Sequence, residues 1–455
     1  METPIDTLLR AQAGKAHTRF CMPGHKGTLS RLDVTEAGEM DNLLHPEGAL
    51  VQAQTLLAQA YGAGQAFFGT CGSTMGMYAL VLSAIAPGDL LLISSDCHIS
   101  AVNAALLAQA RVAMVNTEQH QGLPAPATAD AVQQALQRHP EAKALVITSP
   151  NYYGVCANVP NIARLCRDAG TLLLVDAAHG AHFGSAPLLP RLPVEADGWV
   201  SSAHKTLCVE NQGSLVFVGT QSRLDPWRVT RNVHRFQTTS PSWPLLAEMD
   251  RARATRCSQG AAQYAALYRR IQTFVSSLEQ SGVQAVAPDG VEKDFTRVVL
   301  DVTDTGLSGY EAEDALAKKG VWVEMADTRH LVLICTPQDD DAAFLRLSEA
   351  LCALPRGQKN AGPMLAAPQR DSEVFTPASV EYGTIKSVLL ENSAELVSAA
   401  AVCCYPPGIA VLCPGERITQ AQIDYLARSH RLGASVSGCV PETQALCVYV
   451  SETVK

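Results

Sequence analysis

Two residues with opposite electrostatic demands close neighbouring apolar segments of the chain. Leu172-Leu-Leu-Val-Asp-Ala-Ala-His179 is a buried-strand pattern that ends in the carboxylate of Asp176. Trp199-Val-Ser-Ser-Ala-His-Lys-Thr206 is a short apolar run that ends in two hydroxyls, an imidazole and the amine of Lys205. A carboxylate at the exit of an apolar strand is costly unless a cation meets it. A lysine at such an exit makes chemical sense when it is held as a Schiff base rather than as a solvated ammonium. Pyridoxal phosphate satisfies both, with its pyridinium nitrogen on Asp176 and its aldehyde carbon on Lys205. Taken singly, each has a plainer reading: Lys205 as a loop lysine, Asp176 as the cap of a helix that follows.

A third element shifts the balance toward the cofactor. Phe67-Phe-Gly-Thr-Cys-Gly-Ser-Thr74 leads into an apolar run, Met75 to Ile85, that Pro87-Gly88 stops. This pattern predicts a helix with Gly72, Ser73 and Thr74 at its N-terminus, where free backbone N–H groups and the helix dipole favour a phosphate. A phosphate cradle, a carboxylate and a lysine then follow in that order along the chain.

The elements that must position these groups read as α/β. Strand-like runs at Leu90–Ser94, Val112–Val115, Ala144–Thr148, Leu172–Asp176, Trp199–Ser201 and Leu215–Val218 alternate with helical stretches at Ile99–Ala110, Ala129–Arg138 and Ile162–Ala169. Short Val/Ile/Leu runs separated by helices predict a mostly parallel sheet covered on both faces, with ligands at the carboxyl ends of its strands. A turn-rich arm and a helix occupy residues 1–60, and the cofactor-binding domain is expected over 61–282. A smaller α/β domain is expected over 283–354, with strands at Thr296–Asp301, Val321–Met325 and Leu331–Cys335. A linker rich in Pro and Gly then leads to a C-terminal domain over 364–455.

At 455 residues, with 47% apolar and 17% charged side chains, the chain can bury a large interior in two or three domains. The formal charge of −9 and the lack of basic runs exclude nucleic acid as an expected partner. No apolar run reaches membrane-spanning length, and Met1-Glu-Thr-Pro-Ile-Asp lacks the features of a signal peptide, so a cytoplasmic location is expected. The 14 cysteines include no Cys-x-x-Cys pair and fit buried reduced thiols better than a disulfide framework. His179 and His182 have a spacing found in metal sites, but a third ligand is absent, and no metal is expected.

With these residues in hand, the chain resembles the ornithine/lysine/arginine decarboxylase family, pyridoxal-phosphate enzymes of the aspartate-aminotransferase fold (fold type I). The resemblance runs through Met22-Pro-Gly-His-Lys-Gly27, Asp33-Val-Thr-Glu36, His45-Pro-Glu-Gly48, Gly72-Ser-Thr74 and Thr148-Ser-Pro-Asn-Tyr-Tyr-Gly154. It continues through His179-Gly-Ala-His-Phe183, Ser202-Ala-His-Lys-Thr206, Gln237-Thr-Thr-Ser-Pro-Ser-Trp243 and Tyr405-Pro-Pro-Gly-Ile409. It is similar to the short form, since no receiver-like domain precedes the Pro-Gly-His-Lys motif. The resemblance implies that Lys205 carries the cofactor, Asp176 holds the pyridinium and His98, in Asp96-Cys-His-Ile-Ser100, stacks on the ring. It also implies phosphate contacts from Ser73, Thr74, Ser202 and His204, with His179 near the ring edge. A homodimer is implied, with Gln237–Trp243 reaching a neighbouring site; a simple helix-entry loop is the plainer reading of that segment. Departures from the family pattern are Ala177, Cys71, Ile99, the run Cys208-Val-Glu-Asn-Gln-Gly213 and the stretch Asn392–Ala400.

The implied activity is loss of CO₂ from a basic amino acid (ornithine, lysine or arginine), with Lys205 or His98 returning a proton to Cα. A distal cation on the substrate requires a carboxylate partner. Glu47, Glu210 and Glu324 are the candidates, Glu324 being favoured from its place on the expected 321–325 strand. The plainer reading pairs Glu324 with Arg329. Two rivals remain at this point: aminotransfer, with Arg329 gripping the α-carboxylate, and a non-catalytic paralogue that binds a partner.

Overall fold

Runs in which every residue is apolar become strands buried on both faces, and that pattern sets the architecture here. A computed structural model describes residues 1–15, 18–279, 281–358, 365–370, 373–405, 408–440 and 446–454. Part of the expected Pro/Gly-rich linker and Pro406-Pro407 lie outside the described residues. The described chain forms two compact units, Met1–Ala84 with Leu172–Tyr264, and Ile85–Thr171 with Ala265–Lys455. Each is α/β, as the alternation of patterns predicts.

In the first unit the strands lie in the order Ala63–Gly69, Ser214–Gly219, Gly198–Ser202, Leu172–Asp176. Leu172–Asp176 and Gly198–Ser202 are parallel, and Asp176 stands opposite Val200. The other two pairings are antiparallel. Ala63–Gly69 escapes the sequence reading because its first half, Ala-Gly-Gln, carries no strand signal. The helix Gly72–Ala84 packs directly on these strands. Gly76 allows the close approach: a Cβ there would meet Val216 Cγ2 at 2.6 Å and Val200 Cγ1 at 2.8 Å. The N-terminal helix Pro4–Ala13 is pinned by buried polar groups on the helix Trp243–Ser277. Asp250 accepts the Ile5 N–H at 2.9 Å, and Arg253 donates to the Glu2 carbonyl while pairing with Asp250 at 2.8 Å.

In the second unit Leu90–Ser94 lies between Arg111–Val115 and Ala144–Thr148, both parallel to it. A separate antiparallel sheet runs Gln284–Val286, Arg297–Asp301, His330–Ile334, Met325–Ala326. Here the expected strand over 321–325 is corrected. Only Met325 and Ala326 pair with the neighbouring strand, opposite Val332 and Leu331. Residues 321–323 make no ladder, and Trp322 is 87% exposed, so Glu324 sits at a bend just before the strand.

The tail has a core of its own, in which Val402, Leu412, Ile418, Leu426, Val448 and Val450 bury against one another. Arg370 latches this tail to the parallel sheet. Its backbone exchanges hydrogen bonds with the Asn116 side chain, at 2.7 and 2.9 Å. Its buried guanidinium meets Glu416 and the Ala410 carbonyl.

Candidate active site

Asp176 is the last residue of an otherwise apolar strand and is only 6% exposed. No helix follows it; residues 177–184 are turns, so the helix-capping reading does not apply. Its Oδ1 accepts the Ala178 N–H at 3.0 Å. Among the described residues no side-chain cation pairs with it. A buried carboxylate without a cation is heavily penalised. The first unit therefore offers an unmet demand for a positively charged N–H at this strand end.

Lys205 lies on the helical turn Ala203–Thr206, which leaves the adjacent strand Gly198–Ser202. Its Nζ stands 3.1 Å from Nε2 of the buried His179, on the turn that follows Asp176. An ammonium donates to that nitrogen; a neutral amine accepts from it. The protonation of Lys205 is therefore coupled to the tautomer of His179.

Ser73 and Thr74 occupy the first turn of the helix Gly72–Ala84, whose leading N–H groups have no acceptor within the helix. Ser202 Oγ donates to Ser73 Oγ at 2.8 Å, joining this helix end to the end of the lysine-bearing strand. Gly72 has φ +73°, and nothing stands within 4 Å of the place its Cβ would take. Its N–H donates to the Gln212 carbonyl at 2.9 Å, which ties the 208–213 departure to the same end. Open space, a helix N-terminus and two linked hydroxyls suit a phosphate.

His204 is a more conditional contributor. Its Nδ1 donates to the Gly213 carbonyl at 2.8 Å, so only the protonated ring offers a donor from Nε2. Burial, with Lys205 beside it, holds the His204 pKa below the ordinary histidine value. An anion on Nε2 would have to restore that proton.

The remaining expected residues have partners within their own units. In the second unit His98 caps the helix Ile99–Leu107, with Nδ1 accepting the Ser100 N–H at 3.2 Å. The Glu324 carboxylate lies within electrostatic reach of the Tyr152 hydroxyl and of Arg297. Burial first, and that carboxylate second, push the Tyr152 hydroxyl pKa far up. Arg329 is engaged by Asp301 at 3.0 Å, which corrects its assignment to Glu324. In the first unit the Glu47 N–H serves Asp41, and the Glu210 N–H bonds to Glu248 Oε2 at 3.0 Å. Among the described residues no cluster of His, Cys, Asp and Glu has the arrangement of a metal site.

Several side chains have partners that the sequence did not show. Gln237 donates to the Phe68 carbonyl at 2.6 Å and accepts the Thr70 N–H at 3.3 Å, bracing the segment that enters the phosphate cradle. Asp327 accepts from the Tyr153 hydroxyl at 2.7 Å and lies 3.0 Å from His330 Nδ1. Its carboxylate is consequently held below the usual range despite burial. Tyr152 and Tyr153 belonged to a motif quoted from the sequence, but their partners flank the short strand Met325–Ala326, far along the chain.

Comparison with known proteins places these features in a family context. A family model described as Orn/Lys/Arg decarboxylase, major domain, matches residues 3–298, and one described as Orn/Lys/Arg decarboxylase, C-terminal domain, matches residues 372–453. An uncharacterized protein of Bacillus subtilis, YaaO, is 30% identical, with 99% of each chain covered. An arginine decarboxylase of Halalkalibacterium halodurans is 28% identical over 97% of this chain and 96% of that one. The crystal structure of the Francisella novicida lysine decarboxylase LdcF superposes with a TM-score of 0.83 at 17% identity, covering 99% of this chain and 81% of that chain. That likeness shows a shared fold.

Proposed function

Since this chain belongs to the Orn/Lys/Arg decarboxylase family, we propose that it uses pyridoxal phosphate to release the α-carboxylate of a basic amino acid as CO₂. The observation that carries this reading is the buried Asp176 carboxylate without a side-chain cation, one parallel strand away from the Lys205–His179 pair. When bound, the cofactor supplies the electron sink for the charge left at Cα. The protein's own groups do the rest. Lys205 would hold the cofactor covalently through Nζ. Asp176 would keep the ring nitrogen protonated, because an adjacent carboxylate favours the cation. Ser73, Thr74, Ser202 and the amides after Gly72 would hold the phosphate, with His204 joining once protonated. His98 would lie against the ring. Lys205, relayed by His179, or His98 would return one proton to Cα in place of the departing carboxylate.

Glu324 is our proposed partner for the substrate's distal cation. Its carboxylate acts on the Tyr152 hydroxyl, and the Arg297 guanidinium in its reach is shared with a second carboxylate, Asp294. The arginine and lysine decarboxylases among the relatives support a basic substrate. Aminotransfer has less support, because Arg329 is engaged by Asp301. A homodimer remains part of the proposal. Gln237 is held within its own chain, so any reach toward a neighbour would have to come from residues 238–242.

The test is a panel of amino acids given to cofactor-loaded protein, with CO₂ and amine followed together. The proposal expects equimolar CO₂ and amine from ornithine, lysine or arginine. A keto acid would mean aminotransfer, no turnover with any amino acid a binding protein, and a neutral or acidic substrate the wrong pocket charge.

A further inference from the structure

The imidazole of His98 is fixed on two sides within the second unit. Behind it, the ring closes its own helix, with Nδ1 accepting the Ser100 N–H at 3.2 Å and lying 2.9 Å from Ser100 Oγ. An acceptor role at Nδ1 places the proton of the neutral ring on Nε2. In front, the backbone of the C-terminal segment comes against the ring's other edge. His98 bridges Ile409 in antiparallel fashion, and the Ile99 N–H donates to the Gly408 carbonyl at 3.1 Å. A Cβ on Gly408 would stand 3.3 Å from both Cδ2 and Nε2 of His98. That is tighter than side chains ordinarily accept, so the ring or the turn would have to move. Gly408 also has φ +82°, the left-handed region that favours glycine.

We propose that Gly408 is a positioning residue for His98: its bare backbone is the surface that sets the tilt of the imidazole. The inference rests on the reading of His98 given above and deepens it, because it draws the C-terminal segment into aligning a ring that lies against the cofactor. A group that must lie flat against another tolerates little rotation, and small misplacements cost rate steeply. Ser100 holds one edge, and at the other the absence of a side chain on Gly408 leaves the ring the place it takes. A single missing Cβ is enough for this.

A double-mutant cycle on the whole chain tests it, using Gly408→Ala, His98→Ala and both together. The backbone strain of Gly408→Ala is the same in either background, so the cycle isolates the contact with the ring. In the cofactor-free proteins, the melting temperature should fall further on Gly408→Ala when His98 is present than when it is Ala. With pyridoxal phosphate bound, Gly408→Ala should weaken the visible circular-dichroism band of the cofactor. It should also lower kcat by roughly ten- to a hundredfold while changing KM little. In the His98→Ala background it should change neither. Should Gly408→Ala fail to fold, the double variant is expected to recover folding. Equal losses in both backgrounds, no recovery, or an unchanged band and kcat in Gly408→Ala would each overturn the proposal. A silent His98→Ala would overturn the reading of His98 itself, and is recognised because it precedes any substitution at 408.

Discussion

Lys205 Nζ and His179 Nε2 stand 3.1 Å apart, on two turns that leave neighbouring parallel strands. The strands hold the turns in register, so the amine and the imidazole meet without help from either loop. Lys205→Ala should leave the fold intact, because the side chain lies at a strand exit rather than in the core. Borohydride treatment of the cofactor-loaded parent should fix the label on Lys205. Peptide mapping that finds the label on another lysine would reassign the attachment point.

Asp176→Asn keeps the shape of the side chain and removes its charge. Turnover is expected to fall by roughly 10²-fold or more, the scale of losing one preorganised electrostatic partner. The cofactor's absorbance should shift as its ring nitrogen loses its proton. An Asn variant with unchanged kcat would mean that another group protonates the ring.

His204 gives a pH signature. Its folded-state pKa is lowered by burial and by Lys205, so the unfolded chain binds the proton more readily than the native one. Stability from this group is therefore present above the ordinary histidine pKa and is lost as pH falls toward the lowered folded value. The cofactor-free parent should lose more melting temperature than His204→Gln between about pH 7.5 and about pH 5.5. Matching pH profiles for the two proteins would remove His204 from the account.

The Arg370–Glu416 pair is buried and joins the tail to the parallel sheet through Asn116. Removing one member strands the other without a partner. Arg370→Met should destabilise the protein by about 3 kcal/mol in denaturant unfolding. A change of under about 0.5 kcal/mol, the size of an ordinary surface substitution, would show that the latch contributes nothing.

Glu324→Gln addresses substrate choice. The variant should raise KM for the preferred basic amino acid by on the order of tenfold or more, since a buried cation loses its counter-charge. Cofactor affinity should be unaffected. Equal KM values for parent and variant would exclude Glu324 as the distal partner.

The sequence by itself determined the α/β architecture, because short all-apolar runs leave little choice but buried strands. Leu90–Ser94, Ala144–Thr148 and Leu172–Asp176 appear with the limits read from the chain. It also placed Asp176 and Lys205 at strand exits, since a charged side chain can follow an apolar strand only where the strand ends. It failed at 321–325, where Val-Trp-Val-Glu-Met alternates like a strand, but the Val321 N–H turns back to the Leu316 carbonyl and only Met325 and the residue after it enter the ladder. Tertiary structure alone decided which polar groups meet: Lys205 with His179, Ser202 with Ser73, Tyr152 with Glu324, Arg370 with Glu416, and Gly408 with the edge of His98. Apolar periodicity acts over a few residues and is written locally. A hydrogen bond between residues far apart in sequence depends on how whole strands and helices come to rest, and no local pattern encodes it.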